Sequence, residues 1–240
     1  MAFLNVLPDP LRNIKDSGEG AGGSYGPGFA SVKVNSHQPT MVSRTNGGRV
    51  VTRSQATHYW SFDITYNPMT RDEFEPINSF LMSRQGRLSA FYIALPQYEN
   101  PRSSSFATWA GNNNTVDLAS NVDPGATFLK VTGMDNAATT SPKPGDLFNV
   151  VDSTNSNHSK AYMVTRVETT ADQVTSGATL QTYERYIHFN PPLVYYTTSD
   201  ATLDFLAPLV RVIQKSDVQS YSLGTDNLFQ FSLSVEEALP

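Results

Sequence analysis

The residue types that most often carry catalysis are four histidines and several nearby carboxylates, and their spacing matches no catalytic or metal-binding motif. None of His37, His58, His158 and His188 belongs to an H-E-x-x-H or H-x-x-x-H pattern, so a zinc site would need distant loops to meet. The letters G-x-S-x-G occur at residues 22–26, but the strand-like FASVKVN follows them where a nucleophile turn requires a helix, and the chain has no cysteine. We therefore expect no catalytic residue, no metal ligand and no cofactor. His58, which lies beside a predicted strand, is expected to hydrogen-bond locally.

Two pairs of neighbouring carboxylates, Glu73 with Glu75 and Glu236 with Glu237, have the residue types of a general acid and base. Residues two apart on a helix do not face each other, and neighbours on a strand point to opposite faces of the sheet. Glu73 stands three residues after Thr70, which is the spacing of a helix capping box. These carboxylates are better explained by structure than by catalysis, and we expect the protein not to be an enzyme.

Exposed aromatic side chains can form a platform for a sugar or a partner protein. Trp109 lies in SFATWAGNNN, where polar turn residues flank it and no apolar pattern surrounds it, so we expect it in an exposed loop. We take Trp109, Tyr195 and Tyr196 as the candidate contacts for a partner or glycan. Most other aromatic residues alternate with polar ones, which is typical of core packing.

The composition favours a globular protein of strands and turns. The chain has 240 residues, of which 39% are hydrophobic and only 16% are charged, and Ser, Thr, Asn, Gly and Pro are abundant. A net charge of -5 with dispersed Lys and Arg excludes a basic stripe, so we expect no direct sequence-specific binding of nucleic acid. No apolar run reaches the ~18 residues of a membrane span, and the N-terminus lacks the pattern of a signal peptide, so we expect no membrane insertion.

The first third of the chain predicts one long strand and one short helix. Residues 48–66 alternate, with Trp60 and the apolar residues after it on one face at period two. The following segment has Thr70 as its helix cap and Gly86 as its C-terminal cap, while Pro76 leaves open a kink or a later helix start. After this helix, LSAFYIALP predicts another strand.

The middle of the chain differs in amino-acid composition from its two ends. Turn-rich clusters separate short runs of strand type, which are ATFLKV (126–131), DLFNVV (146–151), AYMVTRV (161–167), ATLQTY (178–183) and LVYY (193–196). The last forty residues return to long strands, DFLAPLVRVIQKSD and LFQFSLSVEEA. We therefore predict one β domain, residues 1–102 plus 201–240, and an inserted small all-β domain, residues 103–200.

A glycine-rich segment, residues 15–30, is predicted to be a loop or an arm ordered by a neighbouring molecule. The alternative is a phosphate-binding loop, which requires a preceding strand and a following helix. This segment is followed by the strand-like FASVKVN instead.

The order of these motifs resembles that of phage distal tail proteins. The resemblance rests on motifs between Trp60 and Pro96. They are W-x-F-x-I-x-Y, then P-M-T-R-x-E-F with a short helix, then R-x-G-R-x-x-x-F, and finally a strand that ends in L-P. GATFLKVTGM, PGDLFNV, KAYMVTRV and FNPPLV are similar to insertions in such proteins, and FQFSLSVEEA resembles their closing strand. The resemblance implies a mainly β, antiparallel sandwich or split barrel with one short helix, carrying an inserted small β-barrel-like domain.

The same resemblance implies a structural role in the virion tail, after assembly in the host cytoplasm. It implies a ring, commonly hexameric, that joins the tail tube to the baseplate or tail tip. The implied partners are copies of the chain itself, the tail tube protein, the tail hub or tip proteins and the tape-measure protein. The alternative is a carbohydrate- or receptor-binding module of the tail tip.

Overall fold

The computed structural model describes residues 5–10, 26–54, 57–177 and 179–239. The chain divides into two compact units, which we call the sheet unit (Met1–Ile93 with Arg211–Ala238) and the barrel unit (Ala94–Val210 with Leu239–Pro240). Strands predominate and pair antiparallel, so the predicted mainly β fold is confirmed. The independent folding of residues 103–200 stays a prediction.

The described residues form fourteen strands, and both α-helices lie between β4 and β6. The strands are β1 (Phe29–His37), β2 (Thr40–Arg44), β3 (Val50–Ser54), β4 (Tyr59–Tyr66), β5 (Phe91–Ala94), β6 (Val116–Leu118), β7 (Phe128–Thr132), β8 (Leu147–Val151), β9 (Ala161–Glu168), β10 (Arg185–Asn190), β11 (Thr202–Asp204), β12 (Leu209–Gln214), β13 (Tyr221–Leu223) and β14 (Phe229–Glu237). The helices are α1 (Arg71–Ser83) and α2 (Ser104–Gly111), with a short 3-10 turn at Pro96–Tyr98.

The main sheet of the sheet unit has the strand order β1-β4-β14-β12-β5, and β13 pairs with β14 beside this path. Val235 of β14 lies opposite Phe62 of β4, and Leu233 lies opposite Ile64. All four side chains are buried, because alternate residues of each strand point to the same face. The pairing places the last strand, β14, beside β4, and the alternation in both strands predicts their buried faces.

A hydrophobic core lies between this sheet and α1. Its buried residues include Phe62, Ile64, Phe74, Ile77, Phe80, Leu81, Phe91, Ile93, Phe231 and Leu233. Phe229 is half-buried and stacks on Phe74 at 4.7 Å between ring centroids.

The prediction of one strand over residues 48–66 is wrong, because this segment forms β3 and then β4. β3 pairs with β2 in a separate two-stranded sheet, while β4 pairs with β1 and β14. Pro39 stands between β1 and β2, where its missing amide interrupts the ladder. The long hairpin is thus divided into a part within the main sheet and a part outside it.

Helix α1 begins directly after Thr70, so the later start near Pro76 is excluded. The Thr70 amide donates to the Glu73 carboxylate at 2.8 Å, which confirms the predicted capping pair. This bond and a second one from the Thr70 hydroxyl hold the pKa of Glu73 below its usual value. The C-terminal cap is Arg84, and the predicted cap Gly86 follows two residues later with a φ of 66°.

The barrel unit is a closed six-stranded barrel with the circular order β10-β7-β6-β11-β8-β9. Its core contains Phe106, Phe148, Tyr162, Ile187 and Phe189, each buried. Because every strand of the barrel pairs with two neighbours, the barrel has no open strand edge within the described residues.

Two predicted strands of the barrel unit are wrong. In ATLQTY, whose Ala178 lies outside the described residues, the Glu184 amide bonds to the carbonyl of Gln181 and closes a turn before β10. LVYY is irregular, because Pro191 and Pro192 precede it, the Leu193 amide donates to the Ala126 carbonyl and the Val194 amide donates to the Tyr162 hydroxyl. The predicted long strand through residues 204–217 is likewise divided into β11 and β12.

Most of the predicted glycine-rich arm, residues 15–25, lies outside the described residues. Its last part contains Gly26, whose amide donates to the Asp9 carbonyl at 3.0 Å. A Cβ atom at Gly26 would lie 2.6 Å from the Asp9 amide nitrogen, so only glycine fits this close approach. Strand β1 begins directly afterwards, at Phe29.

Candidate functional site

Trp109 lies on helix α2 and not in an exposed loop, so the loop prediction is wrong. The Ser103 hydroxyl caps this helix by accepting a hydrogen bond from the Phe106 amide at 3.4 Å. The Trp109 ring is half-buried and stacks on Phe106, with 5.7 Å between the ring centroids. Residues three apart share a helix face, and this face packs on the barrel core. The role of Trp109 as a partner or glycan contact stays a prediction.

Tyr195 and Tyr196 lie in the loop between β10 and β11 and differ in exposure. Tyr196 is 45% exposed, whereas Tyr195 is half-buried, with its ring edge-on to His158 at 5.7 Å. The His158 Nε2 atom lies 3.1 Å from the Tyr196 carbonyl oxygen. The two tyrosines therefore form one local site with His158, and Tyr196 presents the more accessible ring.

Asp152 holds this tyrosine loop in place. Its buried carboxylate accepts hydrogen bonds from the backbone amides of Thr154, at 2.8 Å, and Thr198, at 3.0 Å, and from both threonine hydroxyls. Burial by itself raises the pKa of Asp152, but these hydrogen bonds lower it to about 2. A carboxylate that is ionised at neutral pH thus ties the loop after β8 to the loop that carries Tyr196.

Glu168 ties a second loop to the barrel in the same way. Its buried carboxylate accepts hydrogen bonds from the amides of Val174 and Thr175, both at 2.9 Å, and lies 2.8 Å from the Nε2 atom of His188. Burial raises the pKa of Glu168, whereas the two amides and the Thr175 hydroxyl lower it to about 2. Arg166 also contacts this carboxylate.

Arg185 is a buried cation that donates hydrogen bonds to a hydroxyl and four backbone carbonyls. Its guanidinium donates to the Ser141 hydroxyl at 3.0 Å and to the carbonyls of Thr182, Glu184, Asp135 and Ala137. Burial lowers the pKa of Arg185. These bonds hold two loops in place, so we assign Arg185 a role in stabilising the barrel unit.

The β2–β3 hairpin is an exposed element of the sheet unit. Its apolar residues Met41, Val42, Val50 and Val51 are all exposed, although five residue pairs keep the two strands in register. Nothing in the sequence distinguishes these valines from the buried Val212 of β12 and Val235 of β14, because all of these segments have strand-forming composition. The hairpin is therefore a candidate assembly surface that the sequence alone does not reveal.

The histidines of the sheet unit have structural contacts. His37 stacks on Tyr59 at 4.5 Å and contacts the Ser61 hydroxyl at 2.8 Å, and His58 contacts the Ser36 hydroxyl at 2.9 Å. Across the described ranges, no group of three His, Asp or Glu side chains could hold a metal ion. Among those same residues, no helix has the length and apolar character needed to cross a membrane.

Comparisons with known proteins agree with these structural features. Residues 7–98 match the family model for the N-terminal part of the A domain of distal tail protein pb9. Distal tail protein pb9 of Escherichia phage T5 is 27% identical over 159 residues, which cover 66% of this chain and 67% of that protein. The predicted resemblance to phage distal tail proteins is confirmed, and the matched range includes β1 to β5, the hairpin and α1.

Proposed function

Since this chain is related to the phage distal tail proteins, we propose that it is a ring subunit at the distal end of the tail, where it joins the tail tube to the baseplate or tip. The relationship supports a structural role in the virion tail and a protein that is not an enzyme. We propose a hexamer, with the tail tube protein, the tail hub or tip proteins and the tape-measure protein as neighbours.

The observation that carries the ring proposal is the exposed β2–β3 hairpin. An isolated two-stranded hairpin is marginally stable in water, and this one exposes four large apolar side chains. Exposed apolar patches of this kind mark surfaces that another molecule covers. A neighbouring subunit in a ring would cover the hairpin.

The open edge of β1 supports the same proposal. In the described part of the chain, this nine-residue strand pairs with β4 alone, so one row of its backbone groups faces away from the sheet. A long open edge invites pairing with another chain, and in a ring subunit the same property favours assembly. Lys33 on this edge disfavours uncontrolled pairing.

The ring is tested by the mass and shape of the purified protein, with light scattering after size exclusion and negative-stain microscopy. We expect a closed ring of about six subunits, because cyclic closure limits the number of copies. The double variant Val42→Asp/Val51→Asp should be monomeric, since charged groups would replace the exposed apolar ones. The matched control is Val151→Asp/Val174→Asp, two exposed valines of the barrel unit. Rings that persist in the hairpin variant would contradict this role of the hairpin.

A second candidate function is recognition of a glycan or receptor at Tyr196. It is favoured by one observation, which is that an exposed tyrosine stands on a loop that Asp152 holds in a fixed conformation. Fixed aromatic platforms bind with little loss of conformational entropy. On a glycan array, Tyr196→Ala should lose binding, while Tyr183→Ala, a residue that is also 45% exposed, should keep it. No glycan binding by the native protein would exclude the glycan form of this candidate.

A further inference from the structure

The β2–β3 hairpin is basic as well as apolar, although the whole chain carries a net charge of -5. Its residues 40–54 include Arg44, Arg49 and Arg53 but neither Asp nor Glu. A surface that covers the hairpin must therefore offer both apolar contacts and negative charge. A surface at the opposite end of the main sheet offers both apolar side chains and negative charge.

The hairpin and that acidic, apolar surface lie at opposite ends of β4. The hairpin leaves the main sheet beside the His37–Tyr59 pair, and the opposite end of the two strands is the Phe29–Tyr66 pair. Eight strand residues span about 23 Å at ~3.3 Å per residue. The hairpin of one copy therefore extends away from the far end of its own β4.

The surface at the far end is built on β13. Among the described residues this strand pairs with β14 alone, and its side chains Tyr221 and Leu223 are 54% and 56% exposed. Beside it lies an open groove of about 590 Å³, lined by Thr65, Tyr66, Pro68, Ser220, Tyr221, Ser222, Gln230, Phe231 and Ser232. The Tyr66 hydroxyl is buried and has no hydrogen-bond partner within the described ranges. A strand edge, two apolar side chains and an unsatisfied hydroxyl thus meet at one place.

Negative charge surrounds this surface. Met69 pairs with Phe229 through backbone hydrogen bonds of 2.8 and 2.9 Å, which brings the start of α1 beside the turn before β14. That turn contains Asp226, and the first turns of α1 contain Asp72 and Glu75, all of them exposed. Arg71, a cation in the same turn, is 3.4 Å from Glu75. The Tyr221 ring lies 4.9 Å from that of Phe74, so β13 and α1 form one continuous surface.

We propose that the β2–β3 hairpin of a second copy of this chain docks on the β13 surface. Val42 and Val50, which share one face of the hairpin, would lie against Tyr221 and Leu223. Arg44 on the same face and Arg49 in the turn would lie near Asp72 and Asp226. This inference rests on the ring proposal and specifies which surfaces meet. The donor and acceptor surfaces lie at opposite ends of one strand, so the contact is head-to-tail. A head-to-tail contact repeats around an axis and closes into a ring when the rotation permits.

A charge-swap experiment tests this contact. The hairpin variant, Arg44→Glu/Arg49→Glu/Arg53→Glu, and the acceptor variant, Asp72→Lys/Glu75→Lys/Asp226→Lys, should each be monomeric by light scattering, because like charges would face each other. Equal amounts of the two variants should assemble when mixed, and so should one chain that carries all six changes. The matched control, Asp123→Lys/Asp200→Lys, changes exposed carboxylates of the barrel unit and should keep the native mass.

The outcomes separate the docking surface from the ring itself. Native rings that survive both charge reversals would overturn the docking contact and leave the ring proposal standing. A native chain that stays monomeric at every concentration would contradict the ring and the contact together. Circular dichroism of each variant shows whether a monomeric result reflects lost docking or a lost fold.

Disulfide crosslinking is a second test that needs no charge change, because the chain has no cysteine. In Val42→Cys/Leu223→Cys, the two positions lie at opposite ends of β4, well beyond the ~7 Å between Cα atoms that a disulfide can bridge. Oxidation should therefore link different copies into a ladder on a denaturing gel, whereas each single variant should give at most a dimer. A double variant that yields no ladder under conditions where native rings form would overturn the contact.

Discussion

The two units of this protein treat their strand edges in opposite ways. In the barrel unit each of the six strands pairs on both sides, whereas in the sheet unit β1 and β13 each leave one edge unpaired among the described residues. The sheet unit also exposes the apolar side chains of the β2–β3 hairpin. A closed barrel resists edge-to-edge association and an open sheet permits it. This difference supports the proposal that the sheet unit carries assembly.

The two units also differ in what their interiors contain. The sheet unit packs Phe74 against Phe231 and Phe229, and its buried charged residues include Arg84 and Glu237. The barrel unit has an apolar core too, and it buries Asp152, Glu168 and Arg185, which hold its loops through hydrogen bonds. We therefore expect the two units to respond differently to mutation and to acid.

The largest effect should come from replacing residues 103–200 with a short Gly/Ser linker, which tests whether the two units are independent. We expect a folded remainder with one cooperative thermal transition, because the sheet unit has its own core. Far-UV circular dichroism measures whether the remainder is folded, and calorimetry measures the number of thermal transitions. A linker that replaces residues 95–208, close to the boundary of the compact units, is the matched control. Aggregation of both shortened chains would show that the units depend on each other.

Next in size is Phe231→Ala in the sheet unit. Phe231 is 6% exposed and packs against Tyr66 and Phe74, so its truncation should lower the free energy of unfolding by about 3–5 kcal/mol. Chemical denaturation measures the change. Phe128→Ala, at a side chain that is 41% exposed, should cost much less. Unchanged stability of Phe231→Ala would contradict the inward orientation of this residue.

In the barrel unit, Asp152→Ala should lower the free energy of unfolding by about 2–3 kcal/mol. The change would leave the amides of Thr154 and Thr198, whose hydrogen bonds to Asp152 are partly buried, without their acceptor. Hydrogen exchange at these two amides should rise, while amides of the sheet unit should keep their protection. Asp200→Ala, which removes an exposed carboxylate, is the control. If exchange at Thr154 and Thr198 stays slow, Asp152 does not hold the two loops together.

Acid should weaken the barrel unit through Glu168. Its pKa is lowered from 4.5 to about 2 in the folded protein, so its carboxylate stabilises the fold above about pH 4.5. This contribution should disappear as the pH falls from about 4.5 to about 2, because protonation removes the charge that accepts the amide hydrogen bonds. Denaturation curves across this range should show a smaller loss for Glu168→Gln than for the native protein. An equal acid response of both proteins would exclude Glu168 as the cause.

The smallest effect should be that of Thr70→Ala at the start of α1. This change removes one partner of the Glu73 carboxylate and should cost about 1 kcal/mol. Thermal unfolding of the sheet unit should shift slightly, and that of the barrel unit should not. Thr108→Ala, on the exposed side of α2, is a comparable control in the barrel unit. A larger shift for the control would argue against a capping role for Thr70.

Much of the sheet unit follows from patterns that are local in the sequence. Alternation in β4 and β14 predicts their buried faces, and the spacing from Thr70 to Glu73 predicts the start of α1. Similar patterns fail to predict that LVYY is irregular and that β10 is a strand. The choice between strand and loop in both segments depends on pairing partners that are distant in the chain. Trp109 was predicted exposed because its polar neighbours hide its spacing from Phe106, three residues earlier on the same helix face.

The sequence by itself determined the mainly β class, the core faces of β4 and β14, the capped helix and the resemblance to distal tail proteins. These properties depend on periodicity and on motifs that lie close together in the chain. Only the tertiary structure decided the circular strand order of the barrel, the burial of Asp152 and Glu168, and the exposure of the β2–β3 hairpin. Each of these depends on which distant segments pack together, and a valine that faces water has the same side chain as one in the core.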